Sequence, residues 1–167
     1  MRKGSRGDRH IMEVTLPKRA LYNDEINYYA HLLQLPGYKD CAMRDEIFGE
    51  PLDYECGVVN LNTHTESGSH WICYFKNSTK RYFFDSFGRA PPIELIKYLK
   101  TREEYLQQLP IIHRSAIIVQ KDNTDECGAL CLYVLTLLSN DVPFAQILKH
   151  LQDRYNTSPT PALTIII

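Results

Sequence analysis

The stretch from Glu126 to Leu138 constrains this chain more than any other. A helix over these residues has Leu130, Leu132, Tyr133, Val134, Leu135 and Leu138 spread around its whole circumference, and a helix apolar on all sides is stable in water only when other elements enclose it. It must run through the middle of the molecule. The remaining periodicities indicate what encloses it. Asn23 to Leu35 has Ile26, Tyr29, Ala30, Leu32 and Leu33 at helical spacing, behind an Asn23 or Asp24 cap and ahead of Pro36-Gly37. Gly57 to Leu61, His70 to Phe75, Arg81 to Asp85 and Ala116 to Val119 are short apolar or aromatic runs that predict strands. Pro91-Pro92 opens a helix through about Lys100, and Val142 to Arg154 supplies another. In the run from His70, alternate residues on both faces are apolar, which predicts a central strand covered on each side. The expected fold class is therefore α+β, a mixed central β-sheet packed against a buried central helix, with flanking helices.

Composition narrows the function classes. With 167 residues, 44% of them hydrophobic, the chain can build its own core without disulfides or metal. Nineteen Lys and Arg against twenty Asp and Glu give a net charge of −1, so no global field drives it onto nucleic acid or an anionic membrane. Five cysteines are an odd number and predict free thiols in a reducing compartment. No apolar run approaches the roughly 20 residues that span a bilayer, and Met1 to His10 is charged where a signal peptide would be apolar. These features predict an intracellular, non-membrane protein. Residues 1–10 read as a flexible basic arm, either a disordered terminus or a weak nucleic-acid contact. Residues 11–156 read as a single domain and 157–167 as a tail, in which Ile165-Ile166-Ile167 either docks as an edge strand or frays.

Four residues carry the candidate chemistry. Cys127 follows the cap-rich Asn123-Thr124-Asp125-Glu126 and opens the buried helix, so its sulfur faces unpaired backbone N–H groups and the positive end of the helix dipole. That position favours thiolate over thiol, although an inert buried thiol would fit it equally well. Gly128, next in sequence, leaves room for a substrate backbone. A two-residue loop after the strand from His70 would put His70 opposite Asp85, whereas a four-residue loop puts Asp85 opposite Ile72. In both registers the imidazole and carboxylate share a face within direct or diagonal reach. They form either a solvated cross-strand pair or a carboxylate that fixes and charges an imidazole. Gln120, seven residues before Cys127, could donate to an oxyanion, although alone it would read as a surface residue. His70-x-x-Cys73 and Cys127-x-x-x-Cys131 suggest a metal site, but residues three apart on a strand face opposite ways, so no metal is expected.

Taken together, Gly57 to Asn62 (GVVNLN), Ser69 to Phe75 (SHWICYF), Tyr82 to Gly88 (YFFDSFG) and Gln120 to Leu132 (QKDNTDECGALCL) resemble the adenain-like cysteine proteases of adenoviruses, virophages and Maverick or Polinton elements. The likeness spans about Gly57 to Leu138 and extends more distantly to the SUMO-specific proteases. It implies an adenain/SUMO-protease-like fold over 11–156, with Cys127 as nucleophile, His70 as general base and acid, Asp85 as its orienting carboxylate and Gln120 as oxyanion donor. Trp71 would form a wall of the substrate slot. The implied substrates are capsid and core precursor proteins, cut by a monomer in the virion or infected cell. The alternatives that keep the same four residues are a ubiquitin-like-modifier protease and an effector-type acyltransferase. Adenovirus relatives use an activating peptide tethered to a cysteine before the Gln, and DNA as cofactor. No cysteine lies between Cys73 and Cys127 here, and the net charge is −1, so neither cofactor is carried over.

Overall fold

The computed structural model describes residues 12–47, 49–65 and 69–166. The basic arm expected over residues 1–10 lies outside them, as does Ile167. In chain order the elements are β1 (Glu13–Thr15), α1 (Asn23–Leu32), β2 (Tyr38–Met43), a 3-10 turn (Arg44–Glu46), β3 (Glu55–Asn60), β4 (Trp71–Lys76), β5 (Arg81–Phe84), α2 (Ile93–Leu99), α3 (Arg102–Gln107), β6 (Ile112–Arg114), α4 (Cys127–Ser139), α5 (Phe144–Tyr155) and β7 (Thr164–Ile166). Five strands form a sheet in the order β2-β3-β4-β5-β6. The pairs β3/β4 and β4/β5 are antiparallel, while β2/β3 and β5/β6 are parallel. The sheet is mixed and β4 is its middle strand.

Alternation along the strands creates two apolar layers. Cys56, Val58, Cys73, Phe75 and Phe84 join α4 and Ile26 and Ala30 of α1 in the larger one. Val59, Ile72, Tyr74 and Phe83 point the other way, onto Leu95, Tyr98 and Leu99 of α2. In α4, Leu130, Cys131, Leu132, Val134 and Leu135 have no exposed surface. The helix is enclosed, as its composition requires.

Several local expectations change. The strand expected over Ala116–Val119 is instead an irregular segment, and the sheet takes Ile112–Arg114 as β6. The β-branched Ile117 and Ile118 supply strand propensity, but this backbone docks on the end of β5 through single bonds such as Val119 N–H to the Ser86 carbonyl at 2.8 Å. The helix expected to reach Leu35 ends at Leu32. Gln34 adopts a left-handed φ of 54°, and Leu33 and Leu35 still bury, which mimics helical spacing in the sequence. Tyr22, not Asn23 or Asp24, is the N-cap, and its N–H donates to the Glu25 carboxylate at 3.2 Å. The tail docks: β7 pairs antiparallel with β1, burying Val14 and Ile165.

Behind the sheet, the fully buried Glu55 accepts hydrogen bonds from the hydroxyls of Tyr74 (2.6 Å) and Tyr98 (2.5 Å). Burial pushes this carboxyl up, but those two bonds, the Leu52 N–H and Lys39 outweigh it and hold Glu55 below the usual range. Gly57, paired with Tyr74 across the ladder, makes the arrangement possible. A Cβ there would lie 2.7–2.9 Å from the Tyr74 ring and hydroxyl. Gly57→Ala should displace Tyr74 and cost about 1–3 kcal/mol, lowering the melting midpoint by about 2–4 °C per kcal/mol. A thermal melt with an unmoved midpoint would contradict this.

Candidate active site

The hairpin between β4 and β5 takes the four-residue option: Lys76 pairs with Arg81 and Cys73 with Phe84. His70 lies just before β4 and Asp85 just after β5, so both leave the ladder at the same end of the sheet. His70 Nε2 donates to Asp85 Oδ1 at 2.8 Å. The pair is enclosed, with side-chain exposures of 10% and 1%, so the solvated alternative does not hold. Asp85 Oδ1 also accepts the Phe87 N–H at 2.8 Å, and the Phe87 ring lies against the imidazole, 5.0 Å between centroids. The turn back from Asp85 requires Gly88, whose φ is +71° and whose Cβ would fall 2.9 Å from the Ile117 carbonyl oxygen.

Cys127 is the first residue of α4, which places its sulfur at the positive end of that helix. The Trp71 N–H donates to Cys127 Sγ at 3.4 Å, and the same cysteine lies near enough to His70 to favour the charged form of its ring. Because Asp85 occupies Nε2, Nδ1 is the ring nitrogen left for the sulfur. Burial alone would lower the His70 pKa, but the bond to Asp85, the neighbouring Cys127 and the charges of both prevail and raise it to about 9. The imidazole is therefore protonated through neutral pH. The pair's contribution to stability is complete below the unfolded value near 6.5 and fades as pH climbs through 9. Burial pushes the thiols of Cys41 and Cys56 up to about 11 and about 12 and holds that of Cys131 well above its ordinary value. Those three stay protonated.

Gln120 is buried and anchored at both ends of its amide. Oε1 accepts the Ser86 hydroxyl at 2.6 Å, and Nε2 donates to the Thr124 carbonyl at 2.7 Å. A cavity of about 630 Å³ opens beside the cysteine, lined by Leu21, Tyr22, Met43, Trp71, Asp125 and Cys127 among others. Trp71 is fixed there by its indole N–H, which donates to the Leu21 carbonyl at 3.0 Å. Gly128 does not line this cavity. Its open side faces Leu21, Ile26 and Trp71, which a Cβ would meet at 3.3–3.4 Å, so it allows close packing at the start of α4. The remaining cysteine pair is turned to the backbone: Cys73 Sγ donates to the Cys131 carbonyl at 3.8 Å and Cys131 Sγ to the Trp71 carbonyl at 3.5 Å. Among the described residues no cluster of three His, Cys, Asp or Glu could hold a metal ion, and no helix is long and apolar enough to cross a membrane.

The structure thus brings His70, Asp85, Gln120, Cys127 and Trp71 to one end of the sheet. Sequence reasoning missed Ser86 and Phe87, which lie inside the YFFDSFG run directly after Asp85, and the β2 edge of the cavity. Chemically, a sulfur at a helix start, a charged imidazole and a buried carboxylate form a relay able to attack a carbonyl and protonate its leaving group.

No protein-family model matches the chain. A candidate thiol protease of Acanthamoeba polyphaga mimivirus is 29% identical over 117 residues, which cover 64% of this chain and 37% of the relative. The chain therefore spans little more than a third of that protein's length. The crystal structure of the ASFV protease superposes with a TM-score of 0.50 at 15% identity, covering 79% of this chain and 62% of its own. The SUMO protease Ulp1, with its catalytic cysteine oxidised to a sulfinic acid, gives a TM-score of 0.47 at 16% identity over 81% of this chain and 75% of its own. The chain has the fold of a viral protease and shares part of its sequence with a candidate viral thiol protease.

Proposed function

We propose that this chain is a cysteine endopeptidase of the adenain-like type that cuts capsid or core precursor proteins during virion maturation. The observation that carries the reading is the enclosed His70–Asp85 pair beside Cys127, whose sulfur accepts the N–H of Trp71, the residue after His70, at the start of the buried helix and at a cavity walled by Trp71. The Cys127 thiolate attacks the scissile carbonyl carbon, and the oxygen's new charge is met by the Cys127 N–H and the Gln120 amide. His70 gives its Nδ1 proton to the leaving amine as the C–N bond breaks, leaving a thioester. The neutral imidazole then takes a proton from water, the hydroxide attacks the thioester, and the acid product departs with thiolate and imidazolium restored. Asp85 holds the ring and its charge throughout. The enzyme acts as a monomer inside the infected cell or virion.

Incubation with co-expressed capsid and core precursors tests the reading. Fragments should appear with the wild type and not with Cys127→Ala. Unchanged mobility with both folded proteins discards capsid processing, and iodoacetamide alkylation near pH 6 no faster than that of free glutathione discards the ion pair.

The raised His70 pKa fixes the alkaline side of the pH profile. The rate constant kcat/KM should fall as pH rises through about 9, where the proton destined for the leaving amine is lost. Asp85→Asn, which removes one of the charges that hold that proton, should move this limb toward 6.5. A limb near 6.5 in the wild type would contradict the assignment.

A further inference from the structure

Gln120 poses a specific problem. An amide side chain can turn over, exchanging its oxygen for its nitrogen, and only one of the two orientations presents an N–H to a developing oxyanion. Turned the other way, it would aim a carbonyl oxygen at the negative charge and oppose the reaction.

Three contacts bear on that choice. The Ser86 hydroxyl donates to Gln120 Oε1 at 2.6 Å, and Ser86 has no exposed surface. Gln120 Nε2 gives one of its two protons to the Thr124 carbonyl at 2.7 Å. The Ser86 carbonyl also accepts the N–H of Val119, the residue before Gln120, at 2.8 Å, so backbone and side chain tie the same two segments together. With the oxygen and one proton committed, the second Nε2 proton remains for a ligand.

We propose that Ser86 is a positioning residue that anchors Gln120 in the donating orientation which the Thr124 carbonyl, able only to accept, selects, an inference that rests on the protease reading above. Through consecutive residues, the end of β5 would then set both polar partners of the reaction. Asp85 fixes the imidazole, and Ser86 fixes the oxyanion donor. Ser86 touches no reacting atom.

Kinetics of Ser86→Ala test this. Its kcat on a peptide substrate should fall about tenfold with KM nearly unchanged, a smaller loss than the roughly 10²–10³ expected when an oxyanion donor is removed outright. Alkylation of Cys127 by iodoacetamide should proceed at the wild-type rate, because displacement of iodide develops no oxyanion. In a Gln120→Ala background the Ser86→Ala change should cost nothing further. Ser86→Cys, with a weaker donor, should fall between serine and alanine. An unchanged kcat in Ser86→Ala, additive losses in the double variant, or an equal loss of alkylation would each overturn the proposal. If Ser86→Ala does not fold, Ser86→Cys carries the same comparison. A wild type that alkylates rapidly yet cleaves no peptide sinks the protease reading instead, so the two failures are distinguishable.

Discussion

Cys127→Ala and His70→Ala should each reduce peptide hydrolysis to a common floor, a loss on the order of 10⁴–10⁶-fold in kcat, and the double variant should fall no lower. The reason is that, in the proposed mechanism, the thiolate and the imidazolium act as one chemical unit. Without the sulfur, the proton on His70 Nδ1 has no acyl intermediate to act on. Without the imidazole, the Trp71 N–H and the helix dipole can still polarise Cys127, but nothing protonates the amine, and the thioester cannot form. Folding should persist in Cys127→Ala, while His70→Ala, which leaves the enclosed Asp85 without its partner, should lower the melting midpoint. Cys127 lies at the first residue of α4 rather than in its enclosed middle, and an alanine there keeps the helix. The measurement is kcat for the two single variants and the double variant, with circular dichroism and melting midpoints recorded alongside. Additive losses would mean that the two groups act independently. Appreciable turnover in Cys127→Ala would remove the cysteine from the chemistry.

Parts of this site were legible in the sequence for distinct physical reasons. The helix from 127 carries its own proof of burial, since no arrangement that leaves it exposed is tolerable in water. The link between His70 and Asp85 survived uncertainty about the loop because both even-length hairpins keep the two residues on one face. The observed four-residue loop sets the pair diagonally, just beyond the Cys73/Phe84 end of the ladder. What the sequence concealed is equally specific. Strand β2 includes Lys39 and Asp40, has a break in its pairing with β3 between Lys39 and Ala42, and lies at the sheet edge, so it shows no clean alternation. Helix α3 buries none of its residues and offers no apolar stripe. Its start was readable, however: Thr101 and Glu104 form a reciprocal capping box, a local pattern that does not depend on burial. Ser86 was invisible because its role comes from a hydroxyl meeting an amide 34 residues away, and no local periodicity reports such a meeting.

Glu126→Ala should destabilise the fold by about 3–5 kcal/mol, because it strands a buried cation. Glu126, the residue immediately before Cys127, accepts a hydrogen bond from Arg154 Nη2 at 3.0 Å, with both side chains 7% exposed. Arg154 lies at the end of α5 and also donates from Nε to the Pro161 carbonyl at 2.9 Å. One guanidinium therefore ties the start of α4 to the end of α5 and to the segment leading into β7. Removing the carboxylate leaves that charge enclosed without its counter-charge. At about 2–4 °C per kcal/mol for a chain of this length, the midpoint should fall by roughly 6–20 °C. Attraction and desolvation nearly cancel in an intact buried pair, so replacing both partners by apolar side chains, as in Glu126→Leu with Arg154→Met, should recover most of the loss. The double variant separates a stranded charge from a general intolerance of change at these positions. Equal destabilisation in the single and double variants would mean that packing, not charge, governs the site. The same comparison reaches the chemistry, since α4 begins one residue after Glu126. Where the double variant regains its midpoint but Cys127 alkylates more slowly than in the wild type, the ion pair sets the angle at which the sulfur meets His70. Where alkylation recovers together with stability, the pair acts only on the fold.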